Sequence, residues 1–147
     1  MIALLLLLSF ASPTDDAAIG RWRFDSAAST YESGPAPRES RRIWEVVGDK
    51  IHFLHTGISA SGAPFRTEFT AAFDGKDYPV EGGSLYDSVS LKMTNPNAVE
   101  QVFKKKGQTT VTAHRTVSPD KKRLTIVATG TNAQGKPFKN VLVYTRE

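Results

Sequence analysis

From Ile19 onward, apolar and polar residues alternate with period two in short segments. Phe65, Thr67, Phe69, Ala71 and Phe73 fall on one side of an extended chain and Arg66, Glu68 and Thr70 on the other, the pattern of a sheet with one dry face. The same split separates Leu124, Ile126 and Ala128 from Arg123 and Thr125, and Val89, Leu91 and Met93 from Ser88, Ser90 and Lys92. The pattern predicts ten strands, at 19–25, 41–47, 50–57, 64–73, 78–80, 88–93, 99–106, 109–117, 123–131 and 137–145, and no helix. Clusters that tolerate left-handed backbone or preset φ separate them: Gly48-Asp49, Asp74-Gly75, Asn95-Pro96-Asn97, Lys106-Gly107-Gln108 and Pro119-Asp120. Two connections are longer, 26–40 and 81–87.

These signals give an all-β fold class. A single antiparallel sheet this long twists, and closing on itself removes the two edges that would otherwise pair with other chains. The hairpin order therefore predicts a single antiparallel up-and-down β-barrel of about eight to ten strands, favoured over a two-sheet sandwich.

A repeat supports the face assignment. Thr56 to Phe65 (TGISASGAPF) matches Thr129 to Phe138 (TGTNAQGKPF) at the Thr, Gly, Ala, Gly, Pro and Phe positions, 73 residues on. The same offset lays Ile51 on Leu124, Phe53 on Ile126 and Arg42 on Arg115, with inward parities in agreement. One favoured hairpin loop used twice and duplication of a three-strand unit both account for it.

Ahead of the barrel, Ile2 to Leu8 followed by Ser9-Phe10-Ala11 is an apolar run. Roughly ten residues at about 1.5 Å each fall well short of the ~30 Å hydrocarbon core of a bilayer, so no transmembrane span is expected. Small residues at Ser9 and Ala11 give the run the form of a secretory signal core, removed after Ala11 or after Ala18, although a basic n-region is absent. This reading divides the chain into a leader, 1–18, and a barrel domain, 19–147, and places the protein outside the cytoplasm, periplasmic or secreted.

Composition narrows the chemistry. The 147 residues contain no Cys, which excludes disulfides, thiolate metal sites and a lipid anchor on cysteine. Nineteen Lys and Arg against fifteen Asp and Glu leave a formal charge of +4. Because the two signs alternate along most of the chain, this modest excess gives no nucleic-acid partner. Glycine-rich phosphate loops, nucleophile elbows and histidine–carboxylate spacings are all missing, so no catalytic residues and no cofactor are assigned. His52 and His55, three apart on one strand, point to opposite faces and cannot share a metal.

Gly20-Arg21-Trp22 opening the first strand, a long first connection and a last strand ending Tyr144-Thr145-Arg146 resemble the calycin group, the lipocalins and fatty-acid-binding proteins. The resemblance covers 19–147 and is nearest in texture to small exported bacterial proteins of lipocalin-like type. It implies that Gly20 and Trp22 build the barrel floor, with Arg146 packed over the Trp. The chain departs from fatty-acid binders of the group at one slot, where Leu142 stands two residues before Tyr144 in place of an Arg.

Four polar side chains interrupt the inward apolar stripes: Arg42 and His55 toward the mouth, Arg115 and Tyr144 nearer the floor. A buried Arg is costly unless paired, and no acidic residue shares the inward stripe of Arg115, so an anionic or carbonyl-bearing ligand is one partner for it; a satisfied core Arg is the other reading. The expected function is an extracytoplasmic barrel holding a small apolar or amphipathic ligand, with Arg115, Tyr144, Arg42, His55, Phe53 and Phe69 as candidate binding residues and a monomeric state. The alternative is a barrel plugged by its own side chains, an interaction module binding an envelope component through its mouth loops or outer face. Interior volume discriminates the two.

Overall fold

The computed structural model describes residues 10–147; the apolar run 2–8 lies outside them. Ten strands follow in order: β1 (Gly20–Phe24), β2 (Glu39–Val47), β3 (Lys50–Ile58), β4 (Pro64–Ala71), β5 (Tyr78–Glu81), β6 (Ser88–Asn95), β7 (Ala98–Lys105), β8 (Gln108–Val117), β9 (Arg123–Thr131) and β10 (Pro137–Arg146). Each pairs antiparallel with its neighbours in sequence, and β1 pairs with β10, Trp22 opposite Arg146, so the sheet closes into a barrel with no free edge. The fold is the all-β up-and-down barrel expected from the alternation.

Several boundaries shift by one residue and three by two, at the start of β2 and the ends of β4 and β6. β2 starts at Glu39, because Glu39 and Ser40 continue the ladder opposite Ile58 and Gly57, and this turns Ser40 inward. β4 stops at Ala71, before Asp74 and its turn. The repeated segment forms the same loop in both places. Ser59 N–H donates to Ala63 O and Gly62 N–H to Ser59 O in one loop, and Asn132 N–H donates to Lys136 O and Gly135 N–H to Asn132 O in the other. Gly57 lies opposite Phe65 and Gly130 opposite Phe138. A Cβ on Gly57 would run into the Glu39 carbonyl oxygen and the Phe65 ring.

The bore is unevenly filled. Near the floor Trp22, Trp44, Ile51 and Leu124 are each no more than 1% exposed. Phe53 rests on Trp44 with ring centroids 5.0 Å apart and on Phe69 at 4.8 Å, making an aromatic layer above that floor. A segment before β1 completes the underside. It makes one 3-10 turn at Pro13–Asp15, donates Ala17 N–H to Pro96 O at 2.9 Å, and inserts Asp16 and Ala18 into the core. These residues fall within the stretch 1–18 that the pattern assigns to the leader, and in the structure Asp16 and Ala18 pack into the barrel floor.

Candidate ligand-binding site

Above the aromatic layer the barrel is hollow. A forked cavity opens there, with one lobe of about 270 Å³ toward β2, β3 and β4. The second lobe, about 220 Å³, extends toward β7, β8 and β9. Arg42, His55, Tyr31, Tyr86 and Leu142 border both lobes.

Strand register assembles the polar group at the fork. On β2, Ser40, Arg42 and Trp44 descend in line from the mouth, and Arg42 pairs with His55 of β3. Ser40 Oγ lies 2.8 Å from His55 Nε2 and 2.7 Å from the Tyr144 hydroxyl, so three inward groups from β2, β3 and β10 form one hydrogen-bonded chain. The Arg42 guanidinium sits over the rings of Tyr144 at 5.1 Å and Phe53 at 5.5 Å. Its Nε is buried without a hydrogen-bond partner, and no carboxylate among the described residues lies within ion-pair distance of it. Burial, with the Arg42 charge adding to it, holds the His55 imidazole well below its usual pKa, so it is neutral. Burial likewise pushes the Tyr86 hydroxyl up, against the pull of Arg42.

Two pinned loops narrow the mouth. The β1–β2 connection folds across the opening: Asn140 Oδ1 accepts from Glu32 N–H at 2.7 Å and Ser33 N–H at 3.1 Å, and Thr30 bridges to Val141. Tyr31 is thereby held at the cavity edge. The β5–β6 connection is held by Lys105 Nζ on Ser84 O at 3.2 Å and by Tyr86 stacked on Phe103 at 4.4 Å. Lys104, next to Lys105, pairs with Asp77 at 3.0 Å, so both lysines are held against the barrel.

Of the residues singled out by sequence, Arg42, His55 and Tyr144 come together. Phe53 and Phe69 lie beneath them and border neither lobe, Phe53 supporting the Arg42 guanidinium. Arg115 is elsewhere: its Nη2 donates to Asp16 Oδ1 at 2.6 Å and its guanidinium stacks on Trp44 at 4.8 Å, under the aromatic layer. The inward stripe of Arg115 does lack an acid, but the segment before β1 supplies one. Its charge is therefore met inside the protein, which is the satisfied core reading, and it does not converge with Tyr144. At the floor Arg146 lies over Trp22 at 4.2 Å and donates to Ile19 O, Ala17 O and Lys121 O, while Trp22 Nε1 donates to Ala18 O. Gly20, at φ 128°, leaves the room that the Arg146 guanidinium occupies. His52 points outward, 3.1 Å from Glu68, and no group of potential metal ligands forms among the described residues.

Sequence reading misses Ser40, which falls in the long connection 26–40, and Gln101. The latter sits on the inward stripe of Val99 and Phe103, so its parity was legible. Tyr31 and Tyr86 come from connections whose course no periodicity records.

Comparison with solved structures decides the architecture. A zebrafish ileal bile-acid-binding protein, solved with cholic acid, superposes with a TM-score of 0.56 at 16% identity over 90% of this chain and 100% of its own. The chain has the calycin fold. Lobster apocrustacyanin A1 also matches, with a TM-score of 0.48 and 13% identity over 89% of this chain and 61% of its own. So does the siderocalin Ex-FABP, at 0.40 and 13% over 90% and 71%. The sequence matches no protein-family model and no curated protein.

Proposed function

We propose that this calycin barrel binds one small amphipathic molecule in the upper half of its bore, with an anionic or carbonyl-bearing head against Arg42. The observation that carries the reading is the Arg42 side chain, which borders both lobes of the cavity and has no carboxylate within ion-pair distance among the described residues. A half-buried charge without an ionic partner is costly, and a ligand oxygen supplies the partner from solution. Ser40, His55 and Tyr144 flank it with further hydrogen-bonding capacity, and Phe24, Phe65 and Leu142 provide apolar wall. The zebrafish protein of the same fold, a bile-acid-binding protein by name, lends the reading general support. An interaction module with a plugged bore would need side chains where the two lobes are. The run 2–8 with Ser9 and Ala11 supports a place outside the cytoplasm, and the closed ring of strands supports a monomer.

The test is titration with 1-anilinonaphthalene-8-sulfonate, a fluorescent amphipathic acid. Wild type is expected to bind it, and Arg42→Met to weaken binding about ten-fold or more, the scale of one water-excluded charge-assisted hydrogen bond. Arg115→Met, whose guanidinium faces Asp16, is expected to leave the affinity of the folded fraction within about two-fold. Equal binding by wild type and Arg42→Met would overturn the anchor.

A further inference from the structure

Resting on that reading, we infer that the ligand is a compact acid of one or two rings bearing a second hydrogen-bonding group at its far end, held at two points by Arg42 and Gln101.

Gln101 is the observation that leads there. It projects inward from β7, is 3% exposed, and borders the second lobe. Its amide takes part in none of the side-chain hydrogen bonds among the described residues, unlike Asn140, whose amide holds the β1–β2 connection. The amide is therefore a built donor and acceptor facing the second lobe. β2 and β7 stand five strands apart in either direction around the ten-strand ring, so Arg42 and Gln101 lie on opposite walls of the bore. The lobe that Gln101 borders also touches Arg42 and His55, and a molecule spanning that lobe meets both walls.

Size and wall chemistry set the rest. Neither lobe exceeds about 270 Å³, whereas a dry cavity of about 150 Å³ already admits a single benzene ring. One or two fused rings suit this space. A long acyl chain does not, because the bore is closed below by Phe53, Phe69 and Trp44 and narrowed above by the pinned loops. Tyr86, Phe103, Phe138 and Tyr31 line the lobe, offering flat faces to a ring. A site that reserves a buried amide for a ligand group rejects the analogue that lacks it, since the amide is then left unpaired.

The experiment is calorimetric titration of the full chain with 6-hydroxy-2-naphthoate, 2-naphthoate and palmitate. Wild type is expected to prefer the hydroxylated acid over 2-naphthoate by about ten-fold, and to bind palmitate more weakly than either naphthoate. Gln101→Leu, nearly the same volume, is expected to bring the two naphthoates to within about two-fold of each other without weakening 2-naphthoate. Equal binding of the two naphthoates by wild type, palmitate as the tightest ligand, or retention of the preference in Gln101→Leu would each overturn the two-point reading. If Gln101→Leu does not fold, the three wild-type affinities decide it. The underlying function fails separately: 1-anilinonaphthalene-8-sulfonate binding that ignores Arg42 removes the anchor, whereas Arg42-dependent binding with no preference between the naphthoates removes the Gln101 contact alone.

Discussion

The carboxylate of Asp16, in the segment before the first strand, accepts a hydrogen bond of 2.6 Å from the Arg115 guanidinium on β8, and neither residue is more than 3% exposed. Asp16 Oδ1 also accepts from Ala18 N–H at 2.9 Å, so one oxygen ties the segment to itself and to the barrel wall. The contact closes the floor beneath Trp44 and leaves Arg42 as the guanidinium that faces the cavity.

Removing one partner of a buried ion pair strands the other charge, which typically costs about 3–5 kcal/mol. Asp16→Ala is expected to lose stability on that scale in urea unfolding, and Asp16→Leu combined with Arg115→Met to recover much of it. The same pair ranks the two leader boundaries: a chain beginning at Ser12 should be as stable as the full chain, whereas one beginning at Ile19, lacking Asp16 and Ala18, should lose at least as much as Asp16→Ala. Equal stability of the two truncated chains would show that the segment is dispensable.

Trp22 is fully buried, bonded to Ala18 O and covered by Arg146. Trp22→Ala is expected to cost about 3–5 kcal/mol from the cavity it leaves. Arg146→Ala, which removes the cation–π contact and three hydrogen bonds to backbone carbonyls, should cost about 2 kcal/mol. Denaturant curves read both, and a loss below about 1 kcal/mol for Trp22→Ala would remove its role as keystone of the floor.

His55 carries a pH dependence whose sign follows from its depressed pKa. Burial first, and Arg42 second, keep the folded imidazole neutral, so as pH falls below about 6.5 the unfolded chain binds the proton and the folded chain does not. Its contribution is fully present above that value and is lost as pH falls toward the folded pKa. Arg42→Met should raise the His55 pKa while leaving it below the usual value, because desolvation remains. Proton NMR titration of the ring measures this directly; an unshifted His55 in the variant would separate the two groups.

Gly57→Ala tests the close approach in the repeated hairpin. The added methyl meets the Glu39 carbonyl oxygen and the Phe65 ring, and overpacking of this kind costs about 1–3 kcal/mol. Thermal unfolding should show the drop, and Thr56→Ala, one residue away and removing atoms rather than adding them, should change stability by less than about 0.5 kcal/mol.

Alternation by itself determined the strands, their inward faces and the up-and-down order, because side-chain parity in a strand has a period of two and a one-residue slip would turn a whole apolar set to water. That local rule reaches Arg42, His55, Tyr144 and even Gln101, all of which sit on inward stripes. What only the tertiary structure decided was which charges are already met. Asp16 and Arg115 are 99 residues apart in the chain, and no periodicity joins a pre-strand segment to β8. Ser40 was hidden in the same way: it became a strand residue only once β3 was there to pair with it, and the Tyr144–Ser40–His55 chain exists only in the closed ring. The filling of the bore is likewise a sum over ten strands and two folded-over loops. Large aromatic residues are visible in the sequence, but whether their volume falls below or above Arg42 depends on strand register and barrel closure, and here it gathers at the floor and leaves the mouth half hollow.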